Sequence, residues 1–200
     1  ADDEQRRLRD AACRVCAQGV ARSHVLSYTR EGSLLEELFT HDGSGTLIAQ
    51  NPYEQARGAE IEDIASILEL IRPLEQSGTL VRRSRERLEE EISHFSILER
   101  DGRVLACAAL HPYHDERVGE IACVATHPDY QGAGRARQLL SELLNQAKDQ
   151  SLDHVFVLTT QSTHWFLEQG FETASLELLP VEKKRLYNWQ RSASVLRRPV

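Results

Sequence analysis

The feature that most constrains this chain is a run of small residues between an apolar strand and an amphipathic helix. Gly132, Ala133, Gly134 and Ala136 lie in this run, and the helix that follows carries leucine and alanine on one face. Small residues let a backbone approach a ligand closely. A helix N-terminus then presents unpaired N–H groups to an anion. The pattern predicts a cradle for a pyrophosphate group.

Two other nucleotide-binding loops fit the sequence less well. A dinucleotide-binding loop would need a small residue at position 137, where this chain has Arg137, and would sit among alternating strands and helices. A Walker loop is excluded because no Gly-Lys-Ser/Thr follows the glycines. A tight strand-to-helix turn without a ligand stays open on spacing alone.

The apolar periodicity over residues 60–200 predicts a mixed sheet flanked by helices, which is an α+β fold. Asp101-Gly102 joins two strands as a hairpin. A helix separates the third strand from the fourth, so these two are expected to run parallel in an otherwise antiparallel sheet. The predicted order is α-α-β-β-β-α-β-α-β-β, with helices near 61–71, 84–92, 135–147 and 162–169 and strands near 95–99, 103–110, 118–125, 154–158, 171–178 and 187–197.

The first quarter of the chain differs from the rest. Residues 1–50 predict a helix at 4–18, a strand at 25–28 and a short helix at 34–39, which are too few elements to bury a core alone. We interpret them as an N-terminal extension. Residues 51–59 contain Asn-Pro and Gly and predict a linker. Residues 60–200 form the main predicted domain.

Composition limits the classes of partner. A net charge of −7 argues against nucleic acid, because phosphate backbones require a basic surface. No apolar run approaches the roughly 18 residues of a membrane span, and the acidic N-terminus lacks the apolar core of a secretory signal. The cysteines, Cys13, Cys16, Cys107 and Cys123, lack the partners of a zinc site, so no metal is expected. The sequence predicts a cytoplasmic protein with small-molecule ligands and is compatible with a homo-oligomer.

Two segments resemble the signatures of GNAT acetyltransferases. Residues 127–136, His-Pro-Asp-Tyr-Gln-Gly-Ala-Gly-Arg-Ala, resemble the acetyl-CoA motif, and residues 165–171, Trp-Phe-Leu-Glu-Gln-Gly-Phe, resemble the second signature. The resemblance implies a GNAT fold that uses acetyl-CoA as co-substrate. It places the pyrophosphate on the loop and the pantetheine arm along the preceding strand. The implied cofactor-binding residues are Cys123, Val124, Ala125, Gln131, Gly132, Ala133, Gly134, Arg135 and Ala136.

A narrower resemblance points to the bacterial N-acetylglutamate synthase family. It rests on residues 80–86, 119–125, 158–160 and 187–191. It implies transfer of acetyl to the α-amino group of L-glutamate for arginine biosynthesis. Residues 24–48 resemble the end of the amino-acid-kinase-like domain that precedes the transferase in longer members. The alternatives are another amine acceptor, or a regulatory module that binds acetyl-CoA without turnover.

The candidate general base is a carboxylate, and the candidate general acid is a hydroxyl. Glu120 lies in an apolar strand, where withdrawal from water makes a carboxylate a better proton acceptor. The alternative is a carboxylate facing solvent, and the resemblance favours the base. It also implies the hydroxyl of Thr159 as the acid. From its residue type alone His164 is a second candidate, although a lone histidine beside Trp165 is more often a packing or surface residue. Backbone N–H groups near Val124 would polarise the thioester carbonyl.

Two arginines are the candidate acceptor ligands. Glutamate carries two carboxylates, which guanidinium groups bind in a bidentate manner. The resemblance assigns Arg83 and Arg191 to this role. The alternative for Arg83 is a solvated cluster at a helix start. Ala193 stands where some members carry a serine near the substrate, which makes glutamate selectivity the weaker part of the prediction.

Overall fold

The computed structural model describes residues 2–40, 43–50, 54–187 and 192–200. The chain divides into two compact units, Ala1–Tyr53 and Glu54–Val200. The small unit contains α1 (Asp2–Ala17), β1 (Arg22–Val25), α2 (Ser33–Phe39) and β2 (Thr46–Ala49). β1 and β2 form an antiparallel pair, and α1 packs against both strands. The strand predicted at 25–28 therefore lies at 22–25, and β2 was not predicted.

Glu37 fixes the turn that leads into β2. Its carboxylate accepts hydrogen bonds from the backbone N–H groups of Ser44 at 2.7 Å and Gly45 at 2.9 Å. The same carboxylate pairs with the His24 ring. These contacts lower the pKa of Glu37, the hydrogen bond with His24 having the largest effect.

The larger unit begins at its edge strand, and between residues 64 and 174 its helices and strands follow the predicted order. They are β3 (Gln55–Gly58), α3 (Ile64–Gln76), α4 (Arg85–Glu91), β4 (Phe95–Arg100), β5 (Arg103–Tyr113), β6 (Val118–Thr126), α5 (Arg135–Asp149), β7 (His154–Thr159), α6 (Thr163–Glu168), β8 (Glu172–Ala174), α7 (Val181–Leu186) and β9 (Ser194–Pro199). The side chain of Ser84 caps α4 by accepting a hydrogen bond from the N–H of Arg87, as its position predicts.

The sheet has seven strands in the order β3-β4-β5-β6-β7-β9-β8. β6 and β7 run parallel, with Val118 paired to His154 and Glu120 paired to Phe156. The remaining neighbours are antiparallel. The α+β fold class and the parallel pair predicted from the order of elements are confirmed. A helix that crosses back over the sheet returns the chain to the end at which the first strand began, so the next strand runs parallel to it.

Helices cover both faces of the sheet. The apolar stripe of α5, including Leu139, Leu143 and Ala147, packs with Ala106 and Ala108 of β5 on one face. α3 and α4 pack on the other face, where the alternate residues of the same strands point, as a pleated strand requires. Residues of this second core include Ile64, Ile67, Leu88, Ile97, Cys107 and Cys123.

Two elements differ from the sequence prediction. Residues 55–58 were assigned to a linker, but they form β3, and Arg57 ties this strand to the sheet through Glu99 at 2.7 Å and Asp63 at 2.7 Å. This ion pair lowers the pKa of Asp63. The final strand was predicted from 187, but β9 starts at Ser194, and α7 was not predicted. Residues 188–191 of that prediction lie outside the described residues.

No helix among the residues described is long and apolar enough to cross a membrane.

Candidate active site

A bulge in β6 opens the sheet. The parallel pairing of β6 with β7 covers Val118 to Glu120. Three residues later Cys123 has a φ of 52°, and the register between β5 and β6 shifts nearby. A non-glycine residue in this left-handed region costs about 1–2 kcal/mol. The buried Cys123 is held there by the core, and a bulge of this kind bends its strand.

A cavity of about 790 Å³ occupies the gap between β6 and β7. This volume lies within the range of sites that hold a cofactor or a drug-sized ligand. Its lining comes from both strands, from the loop before α5 and from α6. The lining residues include Ala122, Cys123, Val124, Ala125, Gln131, Gly132, Gly134, Arg135, Ala136, Arg137, Leu158, Thr159, Ser162 and Trp165.

The loop at the mouth of this cavity has the geometry of an anion cradle. Gly132 has a φ of 81°, and Gly134, which caps α5, has a φ of 79°, so both use the left-handed region that favours glycine. A Cβ at either position would meet no atom within 4 Å, so the space in front of the loop is open. The positive end of a 15-residue helix faces that opening.

The two arginines that follow the loop differ in what they contact. The guanidinium of Arg135 is hydrogen-bonded to Glu54 and to the carbonyl of Tyr130, so Glu54 neutralises its charge. Arg137 also lines the cavity, and its Nε donates to Gln169 at 2.9 Å. Arg137 was not predicted as a cavity residue, because its position in the sequence only excludes a dinucleotide-binding loop. Ala133 is exposed and lies outside the lining.

Glu120 is buried on the other side of the bulge from the loop, with a relative exposure of 7%. Its neighbour Ile121 lines the cavity, while Glu120 itself faces the side of β5 that carries His111, its cross-strand partner. Lys183 Nζ lies 2.7 Å from Glu120 Oε1. Burial and, after it, the charge of Glu120 raise the pKa of Tyr113. Glu120 therefore does not face bulk solvent.

Thr159 ends β7 and lies at the cavity wall. It is buried, and its Oγ1 accepts a hydrogen bond from the N–H of Ser162 at 2.9 Å. A hydroxyl that accepts in this way keeps its own proton for donation. His164, the second candidate acid, has a side chain that is 87% exposed and lies 3.5 Å from Glu168. Of the two, Thr159 alone lines the cavity.

Arg83 is a half-buried residue and not part of a solvated cluster. Its side chain is 12% exposed, and its Nε lies 3.5 Å from Glu91 Oε2. Among the described residues, neither of these two atoms has a hydrogen-bond partner. The pair therefore keeps donor and acceptor capacity for a ligand or water. Arg191 lies outside the described residues.

His111 and Glu91, which sequence reasoning missed, belong to a cluster of charged side chains around Glu120 and Arg83. Burial lowers the pKa of His111 to about 4, while the charge of Glu91 opposes that shift. Burial alone would raise the pKa of Glu91, but a hydrogen bond from Arg87 and the charges of His111 and Arg83 lower it overall. We call Arg83, Arg87, Glu91, His111, Glu120 and Lys183 the charged pocket. The sequence signal that could have identified His111 is its position as a single histidine in the mostly apolar β5.

Within the described ranges, no group of three or more His, Cys, Asp or Glu side chains could hold a metal ion.

Comparison with known proteins agrees with this geometry. Residues 59–171 match the model of the Acetyltransferase (GNAT) family. The chain is 55% identical over 185 residues to the amino-acid acetyltransferase of Yersinia pseudotuberculosis serotype O:1b (strain IP 31758). That match covers 92% of this chain and 42% of the relative, so the chain spans less than half the length of the curated relative.

Two solved structures of the N-acetylglutamate synthase from Neisseria gonorrhoeae also match. The complex with coenzyme A and L-arginine has a TM-score of 0.87 at 41% identity, and covers 100% of this chain and 46% of that chain. The complex with coenzyme A and N-acetyl-glutamate has a TM-score of 0.72 at 42% identity, with 100% and 47% covered. The fold predicted from the sequence is confirmed by these matches.

Proposed function

Because this chain belongs to the acetyltransferase (GNAT) family, we propose that it transfers the acetyl group of acetyl-CoA to the α-amino group of L-glutamate. The products are N-acetylglutamate and CoA, and the reaction serves arginine biosynthesis. The observation that carries the proposal is the cavity between β6 and β7 with a glycine cradle at its mouth and a buried carboxylate beside it. The named relatives, an amino-acid acetyltransferase and an N-acetylglutamate synthase, support the choice of acceptor.

The residues of the cavity suit acetyl-CoA. The N–H groups of residues 131–136 and the α5 N-terminus would hold the pyrophosphate. The backbone of Cys123, Val124 and Ala125 would pair with the amides of the pantetheine arm, since β6 has left its parallel neighbour there. Acetyl-CoA supplies the acetyl group when bound. Arg137, whose charge no carboxylate within the described residues neutralises by ion pairing, adds a cation beside the cradle.

The acceptor ammonium loses two protons on its way to the amide, and the leaving thiolate gains one. Glu120, directly or through water, accepts the proton of the acceptor ammonium, which frees the nitrogen lone pair to attack the thioester carbon. The N–H of Val124 stabilises negative charge on the carbonyl oxygen as the bond forms. When the carbon–sulfur bond breaks, Thr159 donates its proton to the leaving thiolate and recovers one from the attacking nitrogen, which loses its second proton as the amide forms. The charged pocket, with Arg83 at its edge and Arg191 as a further ligand, takes the carboxylates.

The chain is divided into an N-terminal extension and a transferase domain in this proposal. We propose that residues 1–50 are an extension separate from the transferase domain, and that the linker predicted over 51–59 ends before β3. The transferase domain then comprises β3 together with residues 60–200. We also propose a cytoplasmic location, where acetyl-CoA and glutamate are both available. A homo-oligomer stays a prediction.

The experiment that tests this function is thiol release from acetyl-CoA by the purified chain. Glutamate is compared with aspartate, glutamine and a polyamine as acceptor. We expect release with glutamate and little with the others. Release that is fastest with the polyamine would replace glutamate by another acceptor. Binding of acetyl-CoA without release for any acceptor would leave the chain a binding module.

A further inference from the structure

The proposed base is occupied by a group of the protein itself. Lys183 Nζ lies 2.7 Å from Glu120 Oε1, and the two side chains are 23% and 9% exposed. An ammonium ion at this distance from the carboxylate has the chemistry of the acceptor ammonium that Glu120 must deprotonate. Lys183 therefore stands in the place of the substrate's amino group, and it has to leave when an acceptor binds.

Other charged side chains lie around this pair. Glu91 is paired with Arg87 at 2.7 Å and lies 3.5 Å from Arg83. His111 is neutral near pH 7, because burial lowers its pKa to about 4. Among the described residues, the Lys183–Glu120 pair thus lies near the guanidinium groups of Arg83 and Arg87 and the carboxylate of Glu91. Cations at this position suit the carboxylates of L-glutamate.

These observations fit an exchange of ion pairs. We propose that Lys183 is the residue that selects an α-amino acid: the acceptor ammonium replaces it at Glu120, and Lys183 moves to the adjacent α-carboxylate. This inference rests on the proposed function and assigns the acceptor's α-carboxylate to a residue of α7. The flexible four-carbon stem of lysine makes such a move by rotation about side-chain bonds.

The exchange explains how the pocket rejects plain amines. Binding of an α-amino acid replaces the internal Lys183–Glu120 ion pair by two new ones. Its ammonium pairs with Glu120 and its α-carboxylate pairs with Lys183, so both side chains keep a counter-ion. A plain amine takes Glu120 and leaves Lys183 partly buried without a counter-ion, which is unfavourable. Selectivity thus arises because an acceptor without an α-carboxylate leaves Lys183 unpaired.

The test compares two ligands that differ in one carboxylate. L-glutamate and 4-aminobutyrate share an amine and a distal carboxylate, and 4-aminobutyrate lacks the α-carboxylate. Binding of each is measured by calorimetry in the presence of CoA for the wild type, Lys183→Ala, Lys183→Met and Lys183→Arg. Lys184→Ala is the matched control, since Lys184 is the next residue of α7 and is exposed. The KM and kcat for glutamate are measured on the same proteins.

We expect Lys183→Ala and Lys183→Met to raise the Kd for glutamate about tenfold or more, as loss of a charge-assisted hydrogen bond does. The Kd for 4-aminobutyrate stays the same or falls, because no internal pair has to be broken. KM rises more than kcat falls, Lys183→Arg restores part of the preference, and Lys184→Ala behaves as the wild type.

Three results would overturn the proposal. Equal loss of both ligands would make Lys183 a structural contact, and Lys183→Met tests this with the packing of the stem retained. A fall in kcat with unchanged Kd for both ligands would restrict Lys183 to holding Glu120. No binding of glutamate to the wild type would reject the proposed acceptor as well, and this failure is seen before any variant is made.

Discussion

Cys123 turns β6 three residues beyond Glu120, so a single bulge stands between the proposed base and the cavity that suits acetyl-CoA. Glu120 is the last residue of β6 paired with β7, and its side chain lies on the face of the charged pocket. Beyond the bulge the strand borders the cavity. The acceptor and acetyl-CoA would thus reach the same strand, β6, from different sides. The acetyl group could then pass directly from one to the other.

The bulge itself is the first testable feature. We expect Cys123→Val to lower the free energy of unfolding by about 1–2 kcal/mol more than Cys107→Val, because a β-branched residue is poorly tolerated at a φ of 52°. Both cysteines are fully buried in the same core, which makes Cys107 a matched control. Urea unfolding of the two variants is the measurement. Equal losses would mean that the conformation at 123 carries no strain.

Alanine substitutions at two glycines should separate an effect on acetyl-CoA binding from an effect on stability. We expect Gly134→Ala to lower stability by about 1 kcal/mol and to raise the Kd for acetyl-CoA at least tenfold, because the Cβ enters the space proposed for the pyrophosphate. Gly102, at the β4–β5 turn, has a φ of 76° and equally open surroundings. Gly102→Ala should therefore match the stability loss and leave the Kd unchanged. An identical effect of both variants on Kd would remove the cradle from the site.

Glu120→Gln tests the base. The amide keeps the shape of the side chain but cannot take the acceptor's proton, so we expect kcat to fall by about 10²–10⁴-fold. Binding of acetyl-CoA should persist, because Glu120 does not line the cavity. Steady-state kinetics and calorimetry are run beside Glu172→Gln, an exposed position on β8. Unchanged turnover in Glu120→Gln would end the role of this residue.

His111 predicts a pH dependence of stability. Its pKa in the folded protein is about 4, against an ordinary value of 6.5, so the unfolded chain binds the proton first as pH falls. The contribution of neutral His111 is complete above pH 6.5 and is lost as pH falls toward 4. Between pH 6.5 and 5 we expect a loss of about 2 kcal/mol.

His114, on the turn after β5, is the control for the pH dependence caused by His111. Chemical denaturation at several pH values should show a shallower slope for His111→Gln, and an unchanged slope for His114→Gln, since His114 is exposed. Burial also lowers the pKa of His154, which acts in the same direction, so the slope should shrink without vanishing. A His111→Gln slope equal to that of the wild type would contradict the prediction.

The sequence predicted those parts of the fold that local patterns determine. The stripe Leu139, Leu143 and Ala147 repeats at helical spacing, and the small residues before it mark the turn, so α5 and its loop were found. The parallel pairing followed from the order of elements alone. The prediction of Gly132, Gly134 and Thr159 as site residues came partly from the family resemblance, and the structure places all three in the cavity lining.

The parts that were missed depend on distant contacts. β3 is a strand because Arg57 pairs with Asp63 and Glu99, and residues 55–58 have no apolar alternation of their own. Lys183 lies in a short charged segment without helical periodicity, and only the fold brings it to Glu120. The left-handed conformation of Cys123 has no sequence signal either, since cysteine shows no preference for it.

The most direct test of the central claim uses acetyl-CoA labelled with ¹³C in its acetyl group. The purified chain is incubated with the labelled compound and L-glutamate, and the products are identified by mass spectrometry and NMR. The account predicts N-acetylglutamate with the label in the amide carbonyl group, formed in proportion to free CoA, and none with Glu120→Gln. Free CoA with labelled acetate and no labelled amide would contradict it, because the acetyl group would then be transferred to water and not to the acceptor amine.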